Sequence, residues 1–335
     1  MRDDLSERKA PFFTHGRAAY WLALRDGRPV GRISAQIDSA AQAIYRAPIG
    51  FFGFLDAEDD PEAFAALIAQ AEGWLRAEGC TRAWGPLSHT LWEMAGLLLE
   101  NFTDPGVFLM PYAPPYAARH VEAAGYAKVK DLHAWIVDVG TQLARAKPLR
   151  PIPKLQVRPL NEADYAGDIR RVVEIFNDAW SENWGFVPFT DTDIAHLAKS
   201  LKPILDPRIV VIAEYEGEPA AMAIGLPNLL EAARDLNGRL FPLGWAKLLW
   251  RLKANKLEIA RVPLMGLRKK HHNTFLGAAI LRALFLKLDE GLAARRFRRL
   301  EMSWILEDNR PMIQVLKGLG GENYKTYRVY EKVLS

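Results

Sequence analysis

Two pairs of segments in this chain, each about 190 residues apart, align without gaps, and this internal repeat limits the available folds more than any other feature. "ALRDGRPVG" (23–31) matches "AEYEGEPAA" (213–221), each an acidic residue and a glycine between apolar flanks, which predicts a hairpin with a tight turn. "AGYAKVK" (124–130) matches "LGGENYK" (319–325), where a helix is expected to stop at glycine and a strand to follow. Between these anchors both halves read strand, helix, strand, helix. The first has "PIGFFGFL", "PEAFAALIAQAEGWLRAEG", "TRAWGPLS" and "APPYAARHVEAAG". The second has "VPLMGL", a helix over 276–292, "RLEMSWILE" and "NRPMIQVLKGLGG". The expectation is an α/β chain built from two copies of one domain.

The segment 144–154, "ARAKPLRPIPK", carries three prolines and four basic residues and is expected to be the linker, leaving domains over 1–143 and 155–335. Charge divides at the same place. Residues 1–150 hold 16 basic against 18 acidic side chains and the remainder 28 against 22, so an anionic partner is expected on the second half. The single cysteine, Cys80, excludes a disulfide framework and a cysteine zinc cluster, and no metal is expected. "MRDDLSERKA" lacks a signal-peptide core, and no apolar run approaches a membrane span. A cytoplasmic protein is expected, at most peripheral on the cytoplasmic face of the inner membrane.

"HHNTFLGAAIL" (271–281) joins an apolar strand to an apolar helix. The first amides of a helix lack internal partners and attract anions, so the amides of Leu276, Gly277 and Ala278 are expected to face a phosphate, within the positive field of Arg268, Lys269 and Lys270. The equivalent place in the first half is "DAEDDPE" (56–62), an acidic run that repels phosphate.

The order of elements, with "LQVRPLNEADYAGDIRRVVEIFNDAW" opening the second half, resembles the GCN5-related N-acetyltransferase (GNAT) fold. The resemblance implies tandem domains, each a mixed, mostly antiparallel sheet flanked by helices. It implies acyl-coenzyme A (acyl-CoA) as co-substrate, its pyrophosphate held by a loop of pattern Arg/Gln-x-x-Gly-x-Gly/Ala. That pattern falls on His272, Asn273, Thr274, Phe275, Leu276 and Gly277, of which only Gly277 matches. Leu267, Lys269, Ala278 and Asn309 complete the implied cofactor set. The tyrosine that often protonates the coenzyme thiolate in this family is replaced by Leu316. "NWGFVPFT", "SWILEDNRPM" and "GGENYKTYRVYEK" together resemble a bacterial group of two-copy GNAT-like proteins that includes the bacterial ceramide synthases, which implies fatty acyl transfer to the amine of a sphingoid base.

Amide formation from a thioester needs a base for the amine, a donor for the carbonyl oxygen and a surface that holds both substrates. Glu307 is the expected base with His272 second, and a backbone N–H near Leu267 is the expected oxyanion donor. Glu307 reads equally as a helix N-terminal charge. The segment 179–190 places Trp180, Trp184 and Phe186 beside Glu182 and Asn183, a wall suited to an apolar amine, or a loop stapled to the core by its aromatics. In 241–256, Trp245, Leu248, Leu249 and Leu252 keep helical spacing among Lys247, Arg251, Lys253 and Lys256. That stripe suits an anionic membrane surface, or packs against its own domain. Two other readings stay open: an aminoacyl-tRNA-dependent transferase of paired GNAT units, and a non-catalytic module that binds acyl-CoA or lipid. No nucleic acid is expected under the leading reading.

Overall fold

The computed structural model describes residues 5–90, 93–141 and 151–334. Most of the expected linker, 144–150, lies outside the described residues. The first repeat runs β1 (Gly16–Arg25), β2 (Arg28–Asp38), α1 (Ser39–Tyr45), β3 (Ile49–Ala57), α2 (Pro61–Ala77), β4 (Arg82–Gly85), β5 (Leu97–Leu98), α3 (Tyr116–Ala123) and β6 (Ala127–Asp138). The second runs β7 (Leu155–Pro159), α4 (Tyr165–Trp180), α5 (Asp191–Leu201), β8 (Val210–Tyr215), β9 (Glu218–Pro227), α6 (Leu229–Ala233), α7 (Gly244–Lys253), β10 (Ile259–Leu267), α8 (Phe275–Ala294), β11 (Arg299–Leu306), α9 (Arg310–Gly318) and β12 (Glu322–Val333).

Both repeated hairpins close through two left-handed residues, Asp26-Gly27 with φ of 52° and 77°, and Glu216-Gly217 with 56° and 83°. Positive φ at both central positions matches the twist of the flanking strands. The helices pack on the sheet by the periodicity of their apolar residues. α2 buries Phe64, Leu67, Ile68, Ala71 and Leu75, and α8 buries Ile280, Leu284, Leu288 and Leu292. Each such leucine or phenylalanine contributes about 1.5–3 kcal/mol.

The strands form one sheet in the order β1-β2-β3-β4-β12-β6-β11-β10-β9-β8-β7, with β5 beside β12. It is mostly antiparallel; the parallel pairs are β3 with β4 and β10 with β11. The last strand of each repeat crosses into the other: β6 lies against β11, and β12 lies against β4. The two repeats thus share one continuous sheet rather than two abutting ones.

The two parallel pairs end differently. β10 and β11 pair only over Ile259–Val262 and Arg299–Met302. Pro263 then offers no N–H to the ladder, and both strands shift register against their outer neighbours, so they diverge. Beyond β3 and β4 the chain stays sealed: Leu87 N–H donates to the Phe52 carbonyl at 2.7 Å, and a Cβ on Gly53 would stand 1.7 Å from the Leu87 carbonyl oxygen.

Candidate active site

A cleft of about 690 Å³ fills the divergence of β10 and β11. Arg268 N–H donates to the Ala220 carbonyl at 2.8 Å, so these residues form a hydrogen-bonded pair of the β9–β10 ladder. Such pairs alternate along an antiparallel ladder, which turns the amides of Leu267 and Met265 away from β9, into the opening. The Met265 carbonyl agrees with this parity, because it accepts from Trp180 Nε1 at 2.8 Å. Leu267, the residue expected near an oxyanion donor, therefore presents its N–H to the cleft.

The loop after β10 is a 3-10 turn, Lys269–His271, followed by the N-terminus of α8. Thr274 Oγ1 accepts from Gly277 N–H, and the Thr274 carbonyl accepts from Ala278 N–H. Of the three amides expected to face an anion, Gly277 and Ala278 are thus engaged. The amide of Leu276 makes no hydrogen bond within the described residues, nor do those of Asn273, Thr274 and Phe275. Gly277 has a further reason to be glycine: a Cβ there would stand 2.0 Å from the His271 carbonyl oxygen. Phe275 is 98% exposed on the outer surface, so it neither narrows the loop nor lines the cleft.

Leu267, Lys269, His272, Asn273 and Asn309 line the cleft; Thr274, Leu276, Gly277 and Ala278 build the helix start beside it. His272 Nε2 donates to the Leu267 carbonyl at 2.7 Å, which leaves Nδ1 as an acceptor. Asn309 Oδ1 accepts from Met312 N–H and caps α9. The neighbouring His271 is buried, and burial together with Lys270, Arg268 and His272 holds its pKa low, so it stays neutral.

The acids expected at the chemistry are committed elsewhere. Glu307 Oε2 accepts from Lys128 Nζ at 2.6 Å and Oε1 from the Asp131 amide at 3.1 Å, both on β6, and its side chain is not part of the cleft wall. Asp308 lines the cleft but pairs with Lys130 at 2.8 Å, which lowers its pKa. Glu182 pairs with Lys269 at 2.7 Å and is likewise held ionised.

The aromatic segment divides. Phe186 is buried against Phe176, while Trp180 and Trp184 face the cleft with Glu182 and Asn183. Trp184 also stacks on Trp84 of the first repeat, with ring centroids 5.2 Å apart. Behind these tryptophans lies a second cavity of about 200 Å³, between the repeats. Trp180, Trp184, Pro263, Trp304 and Leu306 belong to both walls, so the two spaces meet there.

A buried polar network missed in the sequence underlies this junction. Arg261 donates to Ser303 Oγ at 2.9 Å and to the Phe108 carbonyl at 3.0 Å, while Ser303 and Tyr324 both donate to Glu301. A basic residue inside an apolar strand was its one local signal.

The stripe over 241–256 is split as well. Leu248 and Leu252 pack against the core, whereas Phe241, Leu243, Trp245, Leu249 and Trp250 are exposed.

No protein-family model matches the chain. Over 99% of its length it is 43% identical to the bacterial ceramide synthase of Caulobacter vibrioides (strain NA1000 / CB15N), covering 88% of that protein. The chain belongs to this family. It is also 43% identical to protein YghO of Escherichia coli (strain K12), over 93% of the chain and 81% of that relative. Among solved structures it resembles a tandem GNAT protein from the clavulanic acid biosynthesis pathway, with TM-score 0.56 at 16% identity over 96% of this chain and 84% of that one. A GCN5-related N-acetyltransferase from Sphaerobacter thermophilus follows with TM-score 0.53 at 13% identity, covering 94% and 80%. These neighbours establish the tandem GNAT fold, and the family makes the protein an acyltransferase. Among the described residues no group of ionisable side chains is arranged to hold a metal ion, and no helix is long and apolar enough to cross a membrane.

Proposed function

We propose that the protein is an acyl-CoA-dependent N-acyltransferase that joins a fatty acyl group to the amine of a long-chain, sphingoid-type base. The observation that carries this reading is the divergence of β10 and β11 over a cleft with inward-turned amides and an anion-attracting helix start at one end. In this reading the amides of Asn273 to Leu276 and the cations of the loop meet the coenzyme pyrophosphate. The thioester lies between the strands, with Leu267 N–H beside its carbonyl oxygen. The aromatic cavity on the far side supports an apolar acceptor, and the name carried by the Caulobacter relative supports a sphingoid base. The test is to incubate the protein with palmitoyl-CoA and sphinganine, following thiol release and product mass. Amine-dependent thiol release with an N-acyl product is expected; thiol release indifferent to the amine contradicts the proposal.

We also propose that the surface over 241–256 rests on anionic lipid. Phe241 and Leu243, exposed by 83% and 72%, stand with Trp250 beside Lys253 and Lys256, and Lys256 Nζ lies 4.1 Å from the Trp250 ring centroid. Tryptophan with cations suits the headgroup boundary. Sedimentation with phosphatidylglycerol vesicles, lost in F241E/W250E and absent with phosphatidylcholine alone, is the expected outcome. Equal sedimentation of the variant would overturn it.

A further inference from the structure

The cleft itself supplies no uncommitted carboxylate for the amine's proton. Glu307 is tied to β6, Asp308 to Lys130 and Glu182 to Lys269. The cavity behind the tryptophans has a different polar set. Most of its wall is apolar, including Leu109, Leu132, Ile224 and Leu264. At the side formed by the first repeat stand His15 and Asp38, with Asp193 and His196 contributed by α5.

His15 Nδ1 and Asp38 Oδ1 are 2.9 Å apart, and Asp38 is nearly fully buried. Asp38 is fixed in turn, accepting from the amides of Ala40 and Ala41 at the start of α1. A buried carboxylate on Nδ1 fixes the tautomer that leaves Nε2 as the proton acceptor and stabilises the imidazolium formed when Nε2 takes a proton. Nε2 of His15 makes no hydrogen bond among the described residues. The N-terminal turn Pro11–Thr14 carries this histidine over α5, so the pair projects into the cavity between the repeats.

We propose that His15, held by Asp38, is the base for the acceptor amine, so that the first repeat supplies a catalytic residue to the site of the second. This rests on the N-acyltransferase reading above. The ligand class is a primary alkylammonium with a hydrocarbon chain. The apolar wall takes the chain and weakens hydration of the cation, which favours the neutral amine. Asp38, Asp193 and Glu93 give this side of the cavity its negative field. The ammonium gives one proton to His15 Nε2. The freed nitrogen lone pair then forms the C–N bond at the thioester carbonyl, while the C–S bond breaks and its electron pair leaves with sulfur. The second proton of the nitrogen passes to that sulfur, and His15 returns the first to solvent. One amide, one thiol and one proton result.

The titratable and charged groups that share the cavity wall with His15 are Asp38 from β2, Glu93 from the loop after β4, Asp193 and His196 from α5, and Arg261 from β10. The hydrogen bond to Asp38 raises the His15 pKa above 6.5, against the effect of burial, and Asp193 adds to the rise. The reactive neutral form therefore accumulates as pH climbs beyond that raised value.

The experiment compares wild type, His15→Gln, His15→Ala and Asp38→Asn for kcat and KM with palmitoyl-CoA and sphinganine from pH 6 to 9. Palmitoyl-CoA affinity is followed by tryptophan fluorescence. General-base loss predicts a fall of ~100-fold or more in kcat for His15→Gln, with palmitoyl-CoA affinity unchanged and the rise of rate with pH abolished. Asp38→Asn preserves the α1 cap and is expected to lose ~10-fold in kcat while its rising limb moves to lower pH. Imidazole added to His15→Ala should restore rate in proportion to its neutral form. A wild-type pH profile in His15→Gln overturns the proposal, as does a loss of rate that imidazole leaves unrepaired while acyl-CoA affinity is intact. Wild type that releases no thiol with any amine defeats the N-acyltransferase reading instead, so the two failures are distinguishable.

Discussion

The two strand–loop–helix corners of this molecule share one layout and carry opposite electrostatics. In the first repeat the start of α2 is already filled: Asp60 accepts from Glu62 N–H, Glu58 pairs with Arg28, and Asp59 pairs with Arg119 and His120. In the second, Thr274 fills one position, and the amides of Asn273 to Leu276, near Arg268, Lys269 and Lys270 in the chain, have no partner among the described residues. The strands follow suit. Those of the first repeat are sealed where Gly53 meets the Leu87 carbonyl, and those of the second open at Pro263. In the function proposed above, a protein side chain in the anion's place and a closed strand pair make the first corner a scaffold, while the second keeps the ligand site.

The sharpest way to break this contrast is Gly277→Ala. The new methyl meets the His271 carbonyl, so the loop must shift, and palmitoyl-CoA affinity should fall by ~100-fold, about 2.8 kcal/mol. Gly73→Ala in α2 meets nothing within 4 Å and should leave that affinity unaltered while stabilising the helix by about 0.5–1 kcal/mol. Calorimetric titration of both variants checks the pair. Next in size, Gly53→Ala forces apart the sealed strands and should cost about 1–3 kcal/mol in urea unfolding, with affinity for palmitoyl-CoA retained by the folded fraction.

Caps give a smaller, paired effect. Asp60→Ala should cost about 1 kcal/mol of stability and leave ligand affinity alone; Thr274→Ala should cost about as much and weaken the ligand as well. Equal ligand effects in the two would erase the distinction between the corners. The smallest effect is in pH. The hydrogen bond to His120, with Arg119 beside it, lowers the Asp59 pKa, so its contribution is present above the ordinary 3.8 and is lost as pH falls through the lower folded value. The thermal midpoint of wild type should therefore exceed that of Asp59→Asn at pH 6, and the difference should vanish under strong acid.

Much of this contrast is legible in the sequence because it is local. Helix starts, the acid–glycine turns and the charge of "DAEDDPE" against "RKKHH" depend on residues within a few positions of one another. What local pattern does not encode is which strand lies beside which. The mix of apolar and polar residues in β6 and β12 fits a strand of either repeat, so their exchange is invisible until the whole sheet is assembled. The surroundings of Glu307 are hidden in the sequence for the same reason. Its carboxylate looks free in the sequence, and Lys128, which holds it, arrives from the other repeat on the exchanged strand. Nothing local marks His15 and Asp38 either, because the cavity they line forms only where the two repeats meet. Gly277 stands out in the sequence as the one residue that keeps the loop pattern, and the group that approaches it is the chain's own His271 carbonyl.

The most direct measurement is a crystal structure with a non-hydrolysable palmitoyl-CoA analogue. One molecule per chain is expected, its pyrophosphate within hydrogen-bond reach of the amides of Asn273 to Leu276 and its thioester position between β10 and β11. Pyrophosphate at the start of α2, or coenzyme outside the divergence of those two strands, would contradict it.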